Sequence, residues 1–77
     1  MALLLDEVRL ARSLPDPEQA RSLRLAAGIS LERMAAELKV NPVTLYRWEA
    51  GHSKPRRVAH LAYAQILSDL AAVIGKA

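Results

Sequence analysis

Residues 28–55 read GISLERMAAELKVNPVTLYRWEAGHSKP, and two helical patterns with a break between them lie inside this stretch. Ser30 is an N-cap type, whose hydroxyl accepts a bond from an orphan amide of the first turn. Leu31, Met34, Ala35 and Leu38 then recur at helical spacing and form one stripe. Ile29 before the cap and Met34 four places into the helix are spaced for a hydrophobic staple. Lys39 and Val40 interrupt the pattern, and Asn41-Pro42 restarts it with a cap residue and a proline at the first helical position. From there Leu45 and Trp48 share a face with Thr44 at its edge. Val43 and Arg47 fall on the opposite side, flanked by Pro42, Tyr46 and Ala50. Gly51 is the expected left-handed stop. The stretch therefore predicts two short helices joined by a tight turn. The second is anchored by its tryptophan side and bare on the other.

The whole chain has 77 residues, which fits one small domain over residues 1–77. A domain of this size buries about 60% of its unfolded surface. Composition is 52% hydrophobic with no Phe and three Gly, which favours an all-α fold. The absence of cysteine excludes disulfides and thiolate metal sites. His52 and His60 have no acidic partner between them and lack metal-ligand spacing, so no metal is expected. No nucleophile–base pair, carboxylate dyad or phosphate loop is present. An enzyme, a cofactor and a small-molecule ligand are accordingly not expected. No unbroken apolar run approaches the roughly 20 residues that cross a bilayer. The opening Met1-Ala2-Leu3-Leu4-Leu5 lacks a basic region and meets Asp6-Glu7, a poor signal peptide. The expectation is a cytoplasmic protein with no membrane partner.

Outside the central stretch, Leu4, Leu5 and Val8 give an uneven apolar stripe, so residues 1–14 read as an N-terminal helical extension, its helix spanning 2–13. Leu14-Pro15-Asp16-Pro17 breaks it, because residues before proline are pushed out of helical space. Asp16 then caps a helix, Pro17 fits its first position, Gln19 completes a capping box, and Gly28 ends it after Ala27. Ala20, Leu23 and Ala27 face inward, while Arg21 and Arg24 are placed outward or at the edge, where they could touch phosphates. Residues 17–55 thus hold one helix and the helix–turn–helix pattern. Residues 56–75 read as a long packing helix that nothing breaks to about Ile74. Its apolar residues, from Val58 and Leu61 to Val73 and Ile74, cover more than one face, so the surplus must meet something else. Net charge is +3. Arg21, Arg24, Arg33, Lys39, Arg47, Lys54, Arg56 and Arg57 crowd residues 21–57 against Glu32, Glu37 and Glu49, as suits a face that meets a polyanion.

Leu23-Arg24, Gly28-Ile29-Ser30, Met34-Ala35, Leu38, Val40-Asn41, Thr44-Leu45, Arg47-Trp48-Glu49-Ala50-Gly51 and Pro55 stand at the spacings of a known family. Over about residues 18–70 the chain resembles the Cro/C1-type (XRE-like) helix-turn-helix domains. That resemblance implies a lambda-repressor-like fold of about five helices, here with the extra N-terminal helix and the long C-terminal one. Three departures stand out. Leu31 occupies the place of a phosphate-contacting Gln in many members, and Lys39 the place of the usual turn Gly, where some strain follows. Arg33 replaces the Glu of the capping box and is free to reach a phosphate instead.

The resemblance implies double-stranded DNA as partner, with helix 41–50 entering the major groove, which is about 12 Å wide. Pro42, Val43, Thr44 and Arg47 are the candidate base readers. Apolar Pro42 and Val43 suit a thymine methyl, and the Arg47 fork suits guanine O6 and N7. Ser30, Arg33, Asn41, Tyr46, Lys54, Arg56 and Arg57 are the candidate phosphate contacts. Ala35, Leu45, Trp48 and Glu49 are the structural anchors, with Glu49 free to pair with an arginine. The terminal helices would join two copies in a homodimer. The function expected is that of a small Cro-like or repressor protein of a phage or mobile element. Alternatives are a DNA-binding accessory protein, such as a recombination directionality factor or an antitoxin, and a helical protein–protein interaction module. Steep salt dependence separates DNA binding from the last of these.

Overall fold

Three side chains accept the amides that start the first three helices. Asp16 Oδ1 takes Gln19 N–H at 2.8 Å, Ser30 Oγ takes Arg33 N–H at 3.0 Å, and Asn41 Oδ1 takes Val43 N–H at 2.9 Å. Each satisfies a donor that would otherwise be orphaned, a contribution of about 1 kcal/mol. The computed structural model describes residues 14–76, which form α1 (Pro17–Ala26), α2 (Leu31–Leu38), α3 (Pro42–Glu49) and α4 (Arg57–Lys76). Among the described residues the fold is all-helical. The expected helix over residues 2–13 lies outside them. The helix expected over 41–50 is Pro42–Glu49, with Asn41 and Ala50 as its caps.

The three short helices also end alike. Ile29 N–H bonds Arg24 C=O at 3.2 Å, Val40 N–H bonds Ala35 C=O at 3.0 Å, and His52 N–H bonds Arg47 C=O at 2.9 Å. That closure needs a left-handed residue just before each donor. Gly28 (φ 71°) and Gly51 (φ 77°) supply it without strain, but at the end of α2 the residue is Lys39, at φ 59°. A side chain in that region costs roughly 1–2 kcal/mol. Glycine would remove the strain and give back part of the gain as unfolded-state entropy. Lys39→Gly should therefore raise stability by about 0.5–1 kcal/mol, read as a higher urea midpoint at unchanged slope.

One core gathers from all four helices: Ala20, Met34, Ala35, Leu38, Leu45, Trp48, Tyr63 and Leu67 are buried and in mutual contact. Leu14, Leu23, Ile29, Leu31, Val40, Ile66 and Leu70 pack around it, half buried. Both members of the expected staple, Ile29 and Met34, thus meet the core. The Trp48 and Tyr63 rings, 5.1 Å between centroids and tilted by 42°, tie α3 to α4. This geometry is favourable for an aromatic pair.

α4 corrects one sequence expectation. Arg57–Gly75 is long and apolar enough to cross a bilayer by length and composition, with mean hydropathy 1.4. A count of unbroken apolar residues missed this because polar residues are spread thinly among alanines and β-branched residues. Tyr63, Ala64 and Leu67 of the same helix are buried against the folded core, a behaviour that core helices of soluble proteins share. Its other side stays open, with Val58 79% and Val73 68% exposed.

Candidate nucleic-acid interface

α3 has two sharply different sides. Leu45, Trp48 and Glu49 are buried, whereas Pro42, Val43, Tyr46, Arg47 and Ala50 are exposed, Val43 and Tyr46 each at 57%. Thr44 lies half buried at the boundary. The 3.6-residue period produces this split: 45, 48 and 49 cluster on one arc, and 43, 46, 47 and 50 on the opposite one. The eight-residue helix is about 12 Å long and carries its bare side along its full length.

The surrounding polar groups fall outward as well. Ser30, Arg33, Asn41, Lys54, Arg56 and Arg57 are all exposed. Ser30 Oγ and Asn41 Oδ1 are engaged as caps, so their hydroxyl proton and amide N–H groups remain as donors for an anion. Pro55 is buried between exposed Lys54 and Arg56, which pins the loop while its cations project. Arg57, at φ 47°, turns the chain into α4 through a left-handed position. No cation in this group forms an ion pair among the described residues.

Arg24 corrects the sequence reading, which set it outward or at the edge as a possible phosphate contact. It is 7% exposed, and its Nε and Nη2 donate to the two oxygens of Glu49 at 2.7 and 3.0 Å. Nη1 donates to Ile29 C=O at 2.9 Å. One guanidinium therefore ties α1 to the end of α3 and to the loop entering α2. Donating to the Glu49 carboxylate holds the Arg24 pKa above its ordinary value, against the opposing effect of burial. Glu49, read as an anchor able to pair with an arginine, finds that arginine here. Ala35, Leu45 and Trp48 are buried, as anchors would be. Leu31 lies half buried against the core, so its place at the start of α2 is given to packing.

Behind Trp48, the Tyr63 hydroxyl is buried and has no hydrogen-bond partner among the described residues. Burial is the main cause that pushes its pKa up from 10.0 to about 12, with the negative charge of Glu49 adding to it. Because burial disfavours the ionised phenol in the folded state, this group leaves stability unchanged with pH below its unfolded-state value and lowers it as pH rises from 10 toward 12. Over that window stability should fall by about 2–3 kcal/mol on account of this one group. Tyr63→Phe should remove that part of the pH dependence and leave stability at neutral pH equal or higher, since its hydroxyl has no bond to lose among the described residues. Urea midpoints of both proteins at pH 8 and about pH 11.5 check the sign and the size.

An exposed short helix set behind a capped turn, gripped by a second helix and ringed with uncommitted cations, is the architecture of a helix-turn-helix DNA-binding domain. A family model described as helix-turn-helix domain matches residues 18–68. The chain belongs to that DNA-binding family, and no catalytic family is indicated. Neither the curated proteins nor the solved structures gave a match to this chain.

Proposed function

We propose that this protein is a sequence-specific regulator that lays α3 in the major groove of double-stranded DNA, in the manner of the Cro/C1-type domains it resembles. The observation that carries the reading is the polarity of α3. Arg47 and Val43 are held outermost by neighbours that bury Leu45, Trp48 and Glu49. Arg47 reads a guanine, Val43 and Pro42 meet thymine methyls, and Thr44 reads at the margin. Tyr46, Asn41, Ser30, Arg33, Lys54, Arg56 and Arg57 hold phosphates and fix the register without reading sequence. The simplest action is to occlude a promoter as a small repressor of a phage or mobile element, in the cytoplasm.

The reading includes a homodimer. Regulators of this kind place two copies on half-sites about 34 Å apart. α4 supports it: only 17% of its apolar span is buried, and exposed Val58 and Val73 flank the part that closes the core. Selection of bound sites from a pool of random duplexes tests both halves of the proposal. The expected outcome is an inverted repeat with one conserved guanine in each half. Failure to enrich any sequence, with binding indifferent to salt, would favour a protein-binding module instead.

A further inference from the structure

We propose that Arg21 is a backbone-phosphate contact, acting across a groove between α1 and α3; the inference rests on the duplex-binding reading above and adds a residue to it. The groove, about 270 Å³, is lined by Arg21, Arg24, Leu31, Tyr46, Glu49 and Ala50. Its floor is electrically satisfied, because Arg24 and Glu49 occupy each other through two bonds and the third goes to Ile29 C=O. Leu31 offers a phosphate no side-chain donor. The donors left are at the rim: Arg21, exposed and in no ion pair among the described residues, and Tyr46, 57% exposed.

Position turns that rim into a phosphate seat. Tyr46 precedes Arg47 and follows Val43 by three residues, so it borders the outward face of α3. When that face lies over base edges, the Tyr46 side is turned toward one strand's sugar–phosphate backbone. Arg21 on α1 and Tyr46 on α3 both line this groove and are both exposed. A guanidinium fork matches two phosphate oxygens, and a phenol hydroxyl adds one more donor. Arg21 and Arg24 are three residues apart on α1, yet one is committed to the fold and the other is free for the ligand.

Binding of the full chain to its selected duplex, titrated from about 50 to 200 mM salt, tests the assignment. Arg21→Ala should weaken all duplexes by the same factor and make the salt slope shallower by about one, with Arg21→Lys retaining most of that slope. Its thermal unfolding should match wild type, because Arg21 has no side-chain partner to lose among the described residues. Replacing single phosphates of the duplex by neutral methylphosphonates should show one position whose effect disappears in Arg21→Ala. If wild type binds with steep salt dependence and Arg21→Ala binds identically, the contact is refuted while the DNA-binding reading stands. If wild type binds no duplex, both fail together.

Discussion

Glu49→Ala should destabilise the domain by about 3–5 kcal/mol, as much as many domains of this size have in total. Arg24 is 7% exposed, and two of its three donor nitrogens bond Glu49. Removing the carboxylate strands a guanidinium that cannot shed its charge near neutral pH. The loss should be larger than the net worth of the pair, because most of it is the cost of an unmatched buried cation. A double replacement, Arg24→Met with Glu49→Leu, should recover much of the stability, since burying the pair was itself expensive. Urea denaturation of the two singles and the double separates these contributions. A Glu49→Ala protein within about 1 kcal/mol of wild type would place the pair in solvent instead.

The second large effect belongs to Trp48. It is 6% exposed and sits 5.1 Å from the Tyr63 ring, centroid to centroid. Trp48→Ala should cost about 3–5 kcal/mol through lost burial and the cavity left behind. An eight-residue helix has no stability of its own in water, so α3 depends on this grip. DNA affinity should fall with the fold. Trp48→Phe, which keeps most of the apolar volume, should lose less than half as much stability and retain binding. If Trp48→Ala melted like wild type yet failed to bind, Trp48 would be a DNA contact and the orientation of α3 assigned here would be wrong.

Much of the fold was legible because local signals agreed with one another. Asp16, Ser30 and Asn41 each cap the helix their side chains suit, and Gly28 and Gly51 each end one. The 3.6-residue period separated Val43 and Arg47 from Leu45 and Trp48 without tertiary knowledge. What escaped was long-range. Arg24 belongs by spacing to the same arc as Ala20, Leu23 and Ala27, but an arginine within an apolar arc is ordinarily moved to its edge. Its partner is 25 residues away, on a helix whose packing partner the pattern does not specify. A lone Glu beside a buried Trp, facing a lone Arg inside an apolar stripe, was the available sign. α4 was legible as too apolar for one core, and the structure leaves Val58 and Val73 exposed accordingly. The groove joining Arg21 to Tyr46 needed the crossing of α1 and α3, which no single-helix pattern contains.

The central claim is that the bare side of α3 reads base edges, and Arg47 is its most informative residue. The direct measurement is the affinity of wild type and Arg47→Ala for the selected duplex and for duplexes changed at each position in turn. The account predicts a loss of about 1–3 kcal/mol, roughly 5- to 150-fold, with discrimination relaxed at one base pair per half-site and kept at the others. Unchanged affinity and unchanged preference at every position would contradict it.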